Sequence, residues 1–242
     1  MCSRSRNMST DAAAHVRTRV VASDAVSPSG TVIPPMPVPL GSAPRLQRIG
    51  NPSSTSFARC LEILHESMSQ GVQLENDRLM SLLRRNDYRL YGLFVDNAVA
   101  AMAIVYLSEA QQFAWLDYMA VCSERRGQGL GSDLFRGLLR LLPKDQPTAR
   151  HLILEVGDSL IDFYRRLGAK LLVNVDYLFP SPSGPALPMR LMVCGLRDDV
   201  SVSQATVKAA IEEVFRTIHG RTATDPLLRS IVNSVPPEIV VQ

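Results

Sequence analysis

The sequence has no C-x-x-C pair and no H-E-x-x-H. Its four cysteines (Cys2, Cys60, Cys122, Cys194) and four histidines (His15, His65, His151, His219) are scattered along the chain. Structural and catalytic metal sites draw on ligands at short spacing, so no metal is expected. Single thiols instead of paired ones fit a reducing, cytoplasmic setting. No apolar run is long enough to span a bilayer. The start, "MCSRSRNMSTDAAAHVRTRVV", lacks the charged-then-apolar order of a secretory signal. A strong excess of one charge is missing too. The formal balance of +3 is too small to imply nucleic acid or an anionic membrane as a partner. What remains is an ordinary globular composition, in a chain of 242 residues that suffices for one substantial domain with extensions.

Punctuation along the chain divides it. Ser27–Pro44 reads "SPSGTVIPPMPVPLGSAP", whose six prolines remove backbone donors and favour extended conformations. We therefore expect residues 1–44 to be a disordered Arg/Ser- and Pro-rich tail, and ordered structure to begin near Arg45 with "RLQRIG". Phe57, Leu61 and Leu64 follow a serine cap at helical spacing, and Leu79, Leu82 and Leu83 mark a second helix. "YRLYGLFVDN" and "AVAAMAIVYLSE" are strand-like and meet at Asp96–Asn97, a hairpin turn by composition. "FAWLDYMAV" is a third strand, and "SDLFRGLLRLL" an amphipathic helix capped by Ser132 or begun within the preceding glycines.

"HLILEV" is a buried strand, and "SLIDFYRRLG" a short helix ended by Gly168, with Ser159 and Asp162 spaced as a capping box. "AKLLVNVDYLF" and "MRLMVCGL" are the last two strands, divided by "PSPSGPALP". Val207, Ile211, Val214 and Ile218 define one face of a helix in a C-terminal extension, 200–242. Residues 45–199 form the main domain. The tight turn implies antiparallel pairing, and the strand–helix–strand step after Val121 implies one parallel pair. An α/β (α+β) fold follows, with a mixed, mostly antiparallel central sheet and helices on both faces.

The stretch "VCSERRGQGLGSDLF" places Gly127, Gly129 and Gly131 between a strand and a helix. Glycine packs nothing and is entropically costly, so three in five positions point to use of the bare backbone. Consecutive N–H groups at a helix start, with Arg125 and Arg126 beside them, are suited to a phosphate. G-x-G-x-G is not the dinucleotide G-x-G-x-x-G, because Ser132 stands where the third glycine belongs. No lysine follows to make a P-loop.

"RGQGLG", Arg126–Gly131, resembles the R/Q-x-x-G-x-G/A acyl-CoA loop of the GNAT superfamily of N-acetyltransferases. "YMAV" before it is similar to the family's fourth strand, and "FYRRLGAKLL" to its later "FYEKLGF" motif. The likeness covers roughly residues 90–195, an ordinary domain's length. It implies an acyl-CoA N-acyltransferase fold with acetyl-CoA as co-substrate. Arg126, Gly127, Gln128, Gly129, Leu130 and Gly131 would then hold its pyrophosphate. Met119 and Val121 would offer main-chain groups to the pantetheine arm and an oxyanion-type N–H to the thioester. Tyr164 matches the tyrosine of the family motif and would be the acid that protonates the leaving thiolate.

For the base there are two candidates. Glu155 lies near a glutamate found in relatives such as bacterial ribosomal-protein N-terminal acetyltransferases, although those carry more residues between it and the tyrosine. Gly157 stands where an asparagine is usual. Asp117 is the other, since period-2 alternation puts it on the face of Met119 and Val121. Tyr91, Tyr106, Trp115, Tyr118 and Tyr177 either line an acceptor pocket or pack the core. Cys122 has no evident base partner.

The resemblance implies direct transfer of acetyl from acetyl-CoA to a primary amine of a small molecule or peptide. Two alternatives stand beside it: a non-catalytic acyl-CoA-binding module, and transfer of a longer acyl chain. The C-terminal helix is expected to serve as a homodimer contact or a lid.

Overall fold

The computed structural model describes residues 20–21, 43–69, 71–182, 184–197 and 200–242. Cys2, His15, and most of the expected tail and proline linker lie outside the described residues. In chain order the elements are β1 (Val20–Val21), β2 (Arg45–Ile49), α1 (Thr55–Ser67), α2 (Asn76–Leu83), β3 (Tyr88–Val95), β4 (Ala98–Ser108), β5 (Phe113–Val121), α3 (Leu130–Asp145), β6 (His151–Val156), α4 (Ile161–Arg166), β7 (Lys170–Leu171), β8 (Tyr177–Phe179), β9 (Leu187–Gly195), α5 (Gln204–Thr217) and α6 (Pro226–Ser234).

The sheet runs β2-β3-β4-β5-β6-β9-β7, with β1 beside β5 and β8 beside β9. Among the described residues only β5–β6 and β1–β5 are parallel, and the other pairs are antiparallel. The β3–β4 hairpin turns at Asp96 and Asn97, both with left-handed φ (52° and 63°), a conformation these two residue types tolerate. Ser54 caps α1 by accepting from the Phe57 N–H at 3.2 Å.

Two close approaches fix the layers. A side chain at Gly92 of β3 would meet the Cys60 sulfur of α1, whereas one at Gly137 of α3 would stand 3.0 Å from Leu46 of β2. Leu46 pairs with Leu93, the neighbour of Gly92, so α1 and α3 cover opposite faces. On the α1 face α5 also packs, its Val207, Ile211, Val214 and Ile218 all buried, and Glu213 accepts from the Tyr106 hydroxyl at 2.5 Å. The helical extension thus shares the sheet's hydrophobic core.

Two local expectations are corrected. "AKLLVNVDYLF" is not one strand but β7 and β8. Between them the Asn174 side chain turns to the C-terminal segment, donating to the Glu238 carbonyl at 2.7 Å and accepting from Val240 N–H at 2.9 Å. That segment then pairs along β7, with Leu172 bridged to Val241. The Ser159–Asp162 capping box is also absent: α4 has no side-chain cap, and Asp162 pairs with Arg165 at 3.0 Å instead. Gly168, with φ of 95°, ends the turn after α4 as its position implies.

Candidate active site at a fork in the sheet

The parallel pairing of β5 with β6 stops halfway. Phe113–Leu116 lie opposite His151–Leu154, and beyond that point the strands part. Glu155 and Val156 continue only with β9, while Met119 and Ala120 lie beside Val20 and Val21. The cause is local. The β4–β5 register shifts between Ile104 and Val105, which face Tyr118 and Leu116, so Asp117 is an extra residue in β5. Such a bulge bends and twists its strand and turns it away from its neighbour.

Asp117 and Glu155 each follow the last paired residue of their strand, so the two carboxylates flank the fork. Both are fully buried. Asp117 accepts a hydrogen bond from the Tyr88 hydroxyl. Tyr88 is in register with Tyr106, and Tyr106 with Trp115, which places the Asp117 carboxylate on their face. The bulge therefore overturns the expectation from alternation that Asp117 shares a face with Met119 and Val121. Glu155 alternates regularly with Ile153, the partner of Trp115, and points to that same face.

The α1–α2 connection closes over this side. The Tyr118 hydroxyl accepts from Leu74 N–H at 2.9 Å and donates to the Val72 carbonyl at 3.2 Å. Ser181 ties the β8–β9 connection to the Gly71 carbonyl at 2.8 Å. A cleft of about 340 Å³ opens where these connections meet the end of α5, lined by Leu74, Glu75, Arg78, Pro180, Pro182 and His219 among others. Sequence reasoning missed Glu75 and Arg78, at the start of α2, and His219, just past α5. The prolines of "PSPSGPALP" were their only legible neighbour. A larger cavity, about 590 Å³, is lined by Gln112, Arg150, His151 and Arg197 at the opposite end of β5 and β6, away from the fork.

Of the five aromatics, Tyr106, Trp115, Tyr118 and Tyr177 form a buried layer on the carboxylate face. Trp115 and Phe215 each pack against Tyr177, with ring centroids 6.2 and 6.3 Å away. Tyr91 does not join them: it lies on the α3 face, donating to Asp145 at 2.9 Å.

At the outer end of the fork the chain leaves Val121 through a single turn, Ser123–Arg125, and enters the glycines. Gly127 and Gly129 have left-handed φ of 75° and 79°, and nothing lies within 4 Å of where a side chain would begin. The need there is for backbone conformation, not space. Gly129 caps α3 without any side-chain bond, at the positive end of the helix. Arg126 folds inward: its Nε donates to the Val121 carbonyl at 3.2 Å and its Nη2 to Ser67 Oγ at 3.0 Å. Arg125 lies 3.6 Å from Asp96. Cys122 is buried, and its thiol pKa is raised, by burial first and then by Glu124.

Tyr164 of α4 is fully buried, its ring edge-on to Phe135 and Phe163 at 5.0 and 4.8 Å. Its hydroxyl has no hydrogen-bond partner among the described residues. Burial, followed by the nearby Cys194, holds its pKa well above the ordinary phenol value. Among the described residues no cluster of His, Cys, Asp and Glu could hold a metal ion, and no helix is long and apolar enough to cross a membrane.

β5 thus carries a bulge, forks from its parallel neighbour and leads into a glycine-led helix start. Residues 57–169 match the model of the acetyltransferase (GNAT) family. A solved structure from Bacteroides thetaiotaomicron, assigned to that family, is 21% identical with a TM-score of 0.62, covering 74% of this chain and 99% of its own. Another acetyltransferase-fold structure, from Staphylococcus epidermidis ATCC 12228, is 12% identical with a TM-score of 0.50, covering 63% of this chain and 99% of its own. No curated protein matches the sequence. The family match takes in just under half of the chain, from α1 to the turn after α4.

Proposed function

We propose that the protein transfers an acyl group, acetyl in the first instance, from acyl-CoA to a primary amine held in a ternary complex. The observation that carries this reading is the fork itself. Two buried carboxylates stand where β5 and β6 part, and β5 runs on from there to the glycine-led start of α3. The amides of Gly127–Gly131 would receive the pyrophosphate, with Arg126 holding the strand end and the loop together. Met119 would offer its N–H and carbonyl to the pantetheine arm, since the main-chain groups of Ala120 face Met102 of β4. Val121 has only its N–H to give, because Arg126 occupies its carbonyl.

Acetyl-CoA supplies the thioester carbonyl carbon that the amine nitrogen attacks. As the C–N bond forms, the amine proton passes to Glu155 or Asp117. As the C–S bond breaks, the thiolate takes the proton of Tyr164. Raised by burial, that phenol stays protonated at neutral pH, and its unpartnered hydroxyl leaves a place for a sulfur to accept. The acceptor, a small-molecule or peptide amine, would enter by the cleft at Glu75 and Pro180. A reducing, cytoplasmic setting agrees with the singly buried thiols of Cys60, Cys122 and Cys194.

Calorimetric titration with acetyl-CoA tests the reading, comparing wild type with Gly129→Asp. Aspartate tolerates left-handed φ better than most residues, but it sets a negative charge where a pyrophosphate would lie. Micromolar binding by wild type and at least a tenfold loss in the variant, with folding unchanged, is the expected outcome. Absence of binding in wild type overturns it.

A further inference from the structure

The edge of β5 beyond the fork already carries an added strand. Val20 lies opposite Met119 and Val21 opposite Ala120, in parallel, so this short amino-terminal segment stands beside β5 where β6 has departed. Backbone groups pair once. The outward-facing main-chain groups of β5 beside Val20–Val21 are those of Met119 and Val121, the ones assigned above to the pantetheine arm. We propose that the open edge of β5 is a strand-docking surface whose occupant is the chain's own Val20–Val21, and that this segment and acyl-CoA exclude one another. The proposal rests on the acyl-CoA reading of the fork.

Three features make this segment the occupant. It runs in the direction β6 takes along the same strand, so it extends the parallel arrangement instead of reversing it. It sits beyond the bulge, at two residues that no other strand covers on that side among the described residues. It is also tethered. Twenty-one residues, 22–42, separate Val21 from Ala43, a length that reaches about 70 Å when extended. Covalent attachment to the domain keeps the segment at a high effective concentration. Two paired residues give a weak contact, and a weak contact at that concentration still competes with a ligand. The consequence is a reduced apparent affinity for acyl-CoA, set by the fraction of molecules whose edge is free.

The full chain carrying Val20→Pro and Val21→Pro tests this, because proline cannot donate to a strand ladder and leaves the domain itself untouched. Two readouts are taken: calorimetric affinity for acetyl-CoA, and amide exchange over Tyr118–Cys122. We expect the variant to bind acetyl-CoA at least about threefold more tightly, with faster exchange over that stretch when no ligand is present. Equal affinity in the two proteins overturns the proposal while leaving the acyl-CoA reading intact. If neither protein binds acetyl-CoA, the acyl-CoA reading falls, and competition falls with it.

Discussion

Tyr88 donates its hydroxyl hydrogen to the carboxylate of Asp117, the residue that the bulge adds to β5. The pair links the first strand of the hairpin to the point where the sheet forks, and both side chains are buried. Asp117 is thus a structural partner as well as a candidate base, and substitutions separate the two roles. Asp117→Ala leaves the Tyr88 hydroxyl buried without its acceptor, which costs about 1–3 kcal/mol. Asp117→Asn keeps an acceptor and should cost less in urea denaturation. If Asp117 takes the amine proton, Asp117→Asn lowers kcat at least a hundredfold with acetyl-CoA affinity unchanged. If Glu155 is the base, Glu155→Gln shows that loss and Asp117→Asn does not.

Arg126 makes a different kind of link. Its guanidinium joins the end of β5, at the Val121 carbonyl, to the last residue of α1, Ser67. The arginine of the loop motif acts as a clamp that sets where the glycines leave the strand. Arg126→Ala should weaken acetyl-CoA binding about tenfold, and Arg126→Lys should recover only part of it, since an ammonium does not reproduce the fork of donors. Ser67→Ala removes one arm of the clamp and should fall between wild type and Arg126→Ala in the same titration.

How far the site was legible follows from these particulars. The strand–glycine–helix step, the Asp96–Asn97 turn and the face of α5 are written in local spacing, and the structure repeats them. The bulge at Asp117 is not local. It arises from how β4 and β5 align, and no residue within "FAWLDYMAV" announces it, so alternation set the carboxylate on the wrong face. The split of "AKLLVNVDYLF" likewise depends on Asn174 meeting Glu238 and Val240, 64 and 66 residues away. The cleft residues Glu75 and Arg78, Pro180 and Pro182, and His219 become neighbours only when three segments converge. Spacing reveals what a segment does alone; contacts between distant segments decide the rest.

Two buried thiols make a prediction for alkaline pH. Burial pushes Cys60 from 9.0 up to about 12, with Arg59 opposing, and pushes Cys194 up to about 12. The folded protein holds both neutral, while the unfolded chain ionises near the ordinary value. Their contribution is fully present below about pH 9 and is lost as pH rises from there through about 12. The limiting slope is about 1.4 kcal/mol per pH unit for each thiol. Urea midpoints measured at pH 8, 9.5 and 10.5 should therefore fall for wild type. Cys60→Ala and Cys194→Ala should start less stable because of the space they leave, yet decline less steeply.

Tyr164 is where stability and chemistry are expected to oppose each other. Its hydroxyl is fully buried and finds no partner among the described residues. A buried hydroxyl without a hydrogen bond is a cost to the fold, on the order of 1–3 kcal/mol. Tyr164→Phe removes it and preserves the ring contacts with Phe135 and Phe163. The variant should be as stable as wild type or more stable, by up to about 1 kcal/mol in urea denaturation. If the phenol protonates the departing thiolate, kcat should fall at least tenfold to a hundredfold while the affinity for acetyl-CoA holds. A loss of stability would show instead that the hydroxyl serves the fold, and an unchanged kcat would move the proton's source elsewhere. Gain in stability together with loss of turnover is the signature expected of a group held for the reaction.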